Sequence, residues 1–252
     1  MKYDIANLTD ARPTRRSVTR AAAWSVPVIA TATTVPAFAA SCAPVTVTAA
    51  NATAPNRSSA VDYSVTFNAG TGAQPTNVMT VKATYDTGMV VRNDANGGTN
   101  DNFTIQNPVG GLNTYGLVMA QRLSSRASNT GAFGHYTFTF TKPVTGLTFT
   151  LTDIDSTTGD FWDSVWLTPG FSKPTLSAGL TGAGTSADPI RQSNGNTAVD
   201  NASGANGNAT ITYPGTISSF TINYSNRQTG TISADPDQVV TIANFSFGFQ
   251  PC

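Results

Sequence analysis

Apolar and polar residues alternate with a period of two along several segments of this chain. The segments with the clearest pattern place these residues on their apolar faces: Val61, Tyr63, Val65 and Phe67; Phe138 and Phe140; Leu147, Phe149 and Leu151; Phe245, Phe247 and Phe249. Successive side chains of a β-strand point to opposite faces, so each segment predicts a strand with one apolar and one polar face. Sheets that are wet on one face are typically antiparallel. The pattern therefore predicts an all-β fold of antiparallel sheets.

The composition supports this prediction, because the chain contains no Glu and every acidic residue is Asp. Glu favours helices, whereas Asp favours turns and helix caps. The segment after the first 39 residues has roughly 210 residues, a usual length for one all-β domain. We expect two stacked antiparallel sheets, in a jelly-roll-like sandwich that buries the apolar faces against each other.

Two stretches interrupt the alternation. Residues 142–146 (KPVTG) have the length and the residue types of a hairpin turn between two predicted strands. Residues 178–208 are rich in Gly, Asn, Ser and Ala, and they predict either a long surface excursion or two poorly formed strands. Residues 178–208 do not mark a domain boundary, because the strands that follow are needed to complete the sheets.

The first 39 residues have the parts of an export signal. Basic residues come first, an uncharged and weakly hydrophobic segment follows, and the small-residue pattern Ala37-Phe38-Ala39 ends it. The resemblance to a twin-arginine signal rests on Thr14, Arg15, Arg16, Val18 and Arg20. The uncharged segment is also similar to the signals of actinobacterial surface proteins. We expect a cleavable signal over residues 1–39, one domain over residues 40–252, a secreted or cell-surface location, and membrane contact only before cleavage.

The chain has two cysteines, Cys42 and Cys252, at opposite ends of the predicted domain. In an exported protein such a pair predicts one disulfide bond. The alternative is lipidation of Cys42, for which the preceding Ala39 stands where Leu is usual. Lipidation would leave Cys252 without a partner, so we favour the disulfide.

The charge of the predicted domain excludes one class of partner. Without residues 1–39, nine basic and twelve acidic residues remain, which gives a net charge near −3. A mildly acidic domain lacks the electrostatic surface that nucleic acids require. We therefore expect an extracellular protein or a glycan as the partner, and no nucleic acid.

Four Asp residues follow one another closely where a predicted strand ends: Asp153, Asp155, Asp160 and Asp163. Carboxylates this close repel each other unless a cation or basic groups neutralise them. Oxygen ligands at irregular loop spacing suit a structural Ca²⁺ ion, although a chain without Glu cannot form an EF-hand. In the alternative interpretation the same residues cap turns and accept hydrogen bonds from backbone N–H groups.

Residues 147–167 resemble a segment of the jelly-roll domains found in bacterial surface proteins. Asp153-Ile154-Asp155, after a Phe/Leu strand, and Asp163-Ser164-Val165 carry the resemblance, and residues 235–249 are similar to the closing strand of that family. The resemblance implies a jelly-roll fold over roughly the second half of the chain. It implies no particular activity.

Two tryptophans flank the acidic segment. Trp166 falls on the polar side of the predicted strand, and Trp162 precedes that strand within the loop. A tryptophan in this position forms either a platform on which a sugar ring stacks or a packed cover beneath a loop.

Catalytic groups are scarce. His135 is the single histidine, and the alternation places it on the solvent side of its strand with Thr137 and Thr139. No Gly-x-Ser-x-Gly motif occurs, and neither cysteine has the features of a free nucleophile. We therefore predict no catalytic residues and a non-catalytic secreted or cell-surface protein of the adhesion or assembly type. The alternatives are a carbohydrate-binding module and a secreted hydrolase that uses the Asp residues.

Overall fold

The computed structural model of the protein describes residues 43–70, 76–93, 100–125, 131–232 and 237–251. These residues form fifteen β-strands and two short 3-10 helices, Ala49–Asn51 and Ala205–Gly207, which confirms the all-β class. The strands are β1 (Val45–Thr48), β2 (Ala52–Arg57), β3 (Asp62–Asn68), β4 (Thr76–Tyr85), β5 (Met89–Val91), β6 (Ile105–Gln106), β7 (Gly116–Leu123), β8 (Phe133–Thr152), β9 (Ser156–Thr157), β10 (Phe161–Leu167), β11 (Thr175–Leu176), β12 (Leu180–Thr181), β13 (Arg191–Gln192), β14 (Ala209–Asn226) and β15 (Asp237–Phe249).

Hydrogen bonds join thirteen of these strands into one curled sheet, and β12 and β13 form a separate small sheet. One path through the large sheet runs β2-β3-β4-β8-β14-β10-β9, while β15, with β1 and β7 beside it, pairs with the end of β8. Every pair of these strands is antiparallel, as the alternation predicted. The curl brings the apolar faces together, which gives the fold its sandwich-like character.

Two long strands, β8 and β14, connect the layers. The first part of β8 pairs with β4 as far as Phe140, and its last part pairs with β15 from Val144 onward. β14 accompanies β8 along both parts, but residues 140–143 of β8 lie opposite the single residue Ser218 of β14. Extra residues on one strand bend a sheet and increase its twist. This irregularity therefore carries the sheet from one layer into the other.

The hairpin turn predicted at residues 142–146 is wrong. These residues lie inside β8, which continues in one direction through the whole stretch. Gly146 adopts a left-handed conformation, with φ of +60°, and Pro143 lacks a backbone N–H donor. Both are residue types of turns, but within sheets they also occur at bulges and bends. In this chain both lie where β8 bends.

Aromatic rings fill the space between the layers. The Phe138 and Phe220 rings stack with 4.6 Å between their centroids, and the Phe149 and Phe220 rings stack with 5.0 Å between theirs. From β15, Phe245 approaches Phe138 and Phe149, and Phe247 approaches Phe140. All six side chains are buried, as the period-two pattern predicted for Phe138, Phe140, Phe149, Phe245 and Phe247. Removing one such ring from a core costs about 3–5 kcal/mol of stability.

The Gly- and Asn-rich region contains short strands and loops, so both alternatives for residues 178–208 hold in part. β12 and β13 each have two residues. Between them the chain touches the large sheet, because the backbone N–H and C=O groups of Ile190 and Val165 bond to each other at 2.8–2.9 Å. The region therefore covers one edge of β10.

The predicted export signal, residues 1–39, lies outside the described residues. Ala43–Cys252 forms one compact unit by its internal contacts. Within the described ranges, no helix has the length and hydrophobicity needed to cross a membrane.

The first and last described strands pair with each other. In the β1–β15 ladder Val45 lies opposite Phe249, and Thr48 lies opposite Ser246. The ammonium group of Lys142 also donates a hydrogen bond to the carbonyl of Pro251 and lies 5.8 Å over the Phe249 ring. The two ends of the described domain are thus held side by side.

Cys42 and Cys252 lie outside the described residues, and the disulfide between them stays a prediction. Each is three residues beyond the Val45–Phe249 pair in the sequence, so the register of the ladder favours it. Closing so long a loop stabilises the fold by about 5 kcal/mol in the chain-entropy model.

Mass analysis of the exported protein tests this disulfide. We expect the non-reduced chain to be lighter than the reduced chain by two hydrogen atoms. We also expect the double variant Cys42→Ser, Cys252→Ser to melt at a lower temperature than the oxidised protein. A free thiol on Cys252, or a diacylglycerol group on Cys42, would contradict the prediction.

Candidate functional site

The acidic segment begins where β8 leaves the sheet. Asp153 follows the last strand residue and adopts a left-handed backbone with φ of +65°, a conformation that Asp tolerates better than most residues. The change in direction ends the alternation, and Asp153, Ile154 and Asp155 are all buried. The loop is therefore part of the interior at this end of the sheet.

Asp163 on β10 is a buried hydrogen-bond acceptor for three other segments. Its Oδ1 accepts hydrogen bonds from the Tyr224 hydroxyl at 2.7 Å and from Nε2 of Gln238 at 2.9 Å. Its Oδ2 accepts one from the backbone N–H of Asp155 at 3.2 Å. Burial, and then the charge of Asp155, raises the pKa of Asp163 well above its usual range, against the effect of these hydrogen bonds. The carboxyl thereby links β10, β14, β15 and the loop.

The other buried carboxyls of the segment repel one another. Burial, followed by the charges of Asp155 and Asp200, raises the pKa of Asp153 to about 8. Burial also raises the pKa of Asp155 to about 6, although the N–H of Val199 donates to its Oδ2 at 2.8 Å. Protons or a cation would neutralise these groups, and the segment is less stable when they are ionised.

The structure fits a calcium site at these residues only in part. Both oxygens of Asp163 and one oxygen of Asp155 already accept hydrogen bonds from the protein, as the turn-cap interpretation requires. Across the ranges that the structure describes, no three His, Cys, Asp or Glu side chains are grouped so that they could hold a metal ion. A cation here would depend on Asp153, Asp160 and backbone oxygens.

The buried carboxyl of Asp153 predicts that stability falls as the pH rises. In the folded chain Asp153 keeps its proton up to about pH 8, whereas in the unfolded chain it loses the proton near its ordinary pKa of 3.8. The free energy of unfolding therefore falls as the pH rises between these two values. We expect Asp153→Asn to melt at the same temperature as the wild type near pH 4 and several degrees above the wild type at pH 8. A change of about 1 kcal/mol in the free energy of unfolding shifts the melting temperature by about 2–4 °C. Thermal melts across this range check the prediction. A difference that does not grow with pH would contradict it.

Calcium binding by Asp153, Asp155, Asp160 and Asp163 stays a prediction with a direct test. A cation that binds only the folded chain raises its melting temperature. At pH 8 we expect millimolar Ca²⁺ to raise the melting temperature, a chelator to reverse the rise, and Asp153→Asn to abolish it. A melting temperature that neither calcium nor a chelator changes would leave these residues as hydrogen-bond acceptors only.

Trp162 packs beneath a loop. Its indole N–H donates to the carbonyl of Gln192 at 3.3 Å, and the Arg227 guanidinium lies 5.3 Å from the centre of its ring. Gly195 is so close that a Cβ atom there would lie 3.2 Å from the ring. These contacts occupy part of the ring, which is half-buried and fits the interpretation of a packed cover beneath a loop.

Trp166 borders a groove on the outer side of β10. The groove has a volume of about 310 Å³. We call it the Trp166 groove and define it by Trp166, Pro169, Phe171, Lys173, Thr185 and Ser186. Trp166 is half-buried, and its ring and that of Phe133 form an edge-to-face pair with 6.3 Å between their centroids. The groove thus combines aromatic rings with hydroxyl groups and an ammonium group.

A row of residues on four adjacent strands crosses the sheet and ends at Trp166. The registers of β4, β8, β14 and β10 align these residues on one outer face: Thr84, His135, Asn223 and Trp166. Nδ1 of His135 lies 2.7 Å from Oδ1 of Asn223, and its Nε2 lies 3.1 Å from Oδ1 of Asp86. The predicted solvent side for His135 is confirmed, but the histidine serves to fix its neighbours in place.

A second concave surface lies between the layers and is apolar. It has a volume of about 100 Å³, and Tyr63, Leu117 and Phe245 line it. Ile105 and Tyr115 stand at its rim, with 44% and 65% of their surfaces exposed. Sequence patterns did not point to this cleft, because it arises from the way two sheet edges meet.

Comparison with known proteins gives no family or relative for this chain: no family model, no curated protein and no solved structure matches it. The geometry of the site therefore carries the functional argument. Sequence reasoning identified Trp166 but missed Phe171 and Lys173, which lie in an irregular stretch between β10 and β11.

Proposed function

We propose that this protein is a non-catalytic recognition domain that is exported and acts in adhesion or assembly at the cell surface, by binding carbohydrate. The observation that carries the proposal is the Trp166 groove. Small-molecule sites are concave, mostly apolar and equipped with a few polar groups, and they usually measure about 300–1,000 Å³. Trp166 and Phe171 supply the apolar surface, and Thr185 and Ser186 supply hydroxyls that can bond to those of a sugar.

The proposal includes a jelly-roll-like arrangement and export by the twin-arginine-like signal at residues 1–39. The long antiparallel strands and the sandwich-like core support the first part. The charged start, uncharged middle and Ala37-Phe38-Ala39 end of the signal support the second. The proposal includes structural calcium and no other cofactor.

The burial of the Asp residues argues against the hydrolase alternative. A glycoside hydrolase needs two carboxyl groups that flank the scissile bond of a bound substrate. Asp153, Asp155 and Asp163 are 8%, 6% and 0% exposed. Three carboxyls that face the protein interior suit a structural role better than attack on a polysaccharide.

A protein partner is the second candidate, and the apolar cleft at Ile105 and Tyr115 favours it. Large exposed apolar side chains beside a cleft are typical of surfaces that contact other proteins. This candidate predicts that substitutions at the Trp166 groove leave adhesion unchanged.

A glycan array with the mature domain tests the proposal. We expect binding to at least one oligosaccharide class, and we expect Trp166→Ala to weaken it more than tenfold, since loss of a central aromatic contact costs about 2 kcal/mol or more. Tyr115→Ala is the matched control, because it removes an exposed aromatic ring away from the groove. Melting temperatures near that of the wild type would verify that both variants fold. An array without any signal would refute carbohydrate binding and favour the protein partner.

A further inference from the structure

We propose that the Trp166 groove selects acidic sugars of the uronate class, with Lys173 binding their carboxylate. This inference rests on the proposed carbohydrate binding and names the substrate class of the same site. Lys173 places an ammonium group in a groove that otherwise offers aromatic carbon and neutral hydroxyls.

Lys173 is available to a ligand. None of the ion pairs and hydrogen bonds of the described residues involves its side chain. The nearby acidic residue, Asp188, is engaged on both oxygens, because Oδ1 pairs with Arg191 at 3.2 Å and Oδ2 accepts from the N–H of Ala183 at 2.9 Å. Among the described residues, the ammonium of Lys173 therefore forms no ion pair, although the predicted domain as a whole is acidic.

The walls around Lys173 are fixed by contacts. The N–H of Ser172 donates to the carbonyl of Thr212 at 2.8 Å, which ties the segment to β14. The Phe171 ring meets Tyr213 edge-on at 5.8 Å. Gly184, which precedes Thr185, has a φ of +77°, and a Cβ atom there would lie 3.2 Å from Phe171. The backbone on either side of Lys173 is therefore held in place, while its exposed side chain loses rotamer freedom when a ligand binds.

The three kinds of group match the parts of a uronate. The apolar face of a sugar ring packs against Trp166, its hydroxyls bond to Thr185 and Ser186, and its carboxylate accepts from the ammonium of Lys173. A lysine ammonium is a compact charge with three donors, and hydrogen bonds between ions are stronger than neutral ones. A neutral sugar of the same shape would lose this last interaction.

Calorimetry with tetramers of galacturonate, glucuronate and mannuronate and with their methyl esters tests the inference. Each ester keeps the sugar ring but removes the negative charge. We expect at least one free acid to bind roughly tenfold more tightly than its ester, and we expect added salt to reduce the difference. Lys173→Gln should abolish the preference, whereas the matched control Lys82→Gln, on the same sheet face but paired with Asp62, should retain it.

The outcomes separate this inference from the proposed function. Equal binding of acids and esters, or binding of neutral oligosaccharides alone, would overturn the uronate preference, while loss of that binding in Trp166→Ala would still support a carbohydrate site. Binding of a glycerol-phosphate polymer in place of the uronates would overturn the uronate class as well. Absence of binding to every sugar would overturn both proposals.

Discussion

The pairing of β8 with β14 is the interaction on which the rest of the fold depends. Both strands are long enough to run through the two layers, and they stay together across the bulge at residues 140–143. β4, β10, β11 and β15 all attach to this pair. Because the bend lies within this continuous pair of strands, one backbone ladder determines the positions of both layers. The aromatic core forms on the inside of the curve.

Burial of polar groups at one end of the sheet gives the site its support. Asp163 faces inward from β10 and holds Tyr224 and Gln238, while Trp166 faces outward from the same strand. A strand with period two presents its neighbours to opposite sides, so the inner hydrogen bonds also set the orientation of the outer ring. The hydrogen bonds of the buried Asp163 carboxyl thereby hold in place the strand that borders the groove.

Sequence reasoning correctly predicted the structural features that depend on local periodicity. The strands around Tyr63, Phe138 and Phe247 and the solvent side of His135 followed from alternation. It failed at residues 142–146, because Pro143 and Gly146 are equally suited to a turn and to a bend within a strand, and only the partner strand decides between them. It also could not distinguish Trp162 from Trp166. Arg227, Gln192 and Gly195, which cover Trp162, are remote from it in sequence, and so is the loop that forms the second wall of the groove.

The side-by-side placement of the two ends has a mechanical consequence. Tension applied through Ala43 and Pro251 would act at the same end of the β1–β15 ladder, so it would open that ladder one hydrogen bond at a time. Strands pulled from opposite ends share the load among all their hydrogen bonds and resist much larger forces. A domain with this geometry yields early when its reduced form is stretched between two attachments, whereas the predicted disulfide between Cys42 and Cys252 would carry the same load and leave the ladder unstressed.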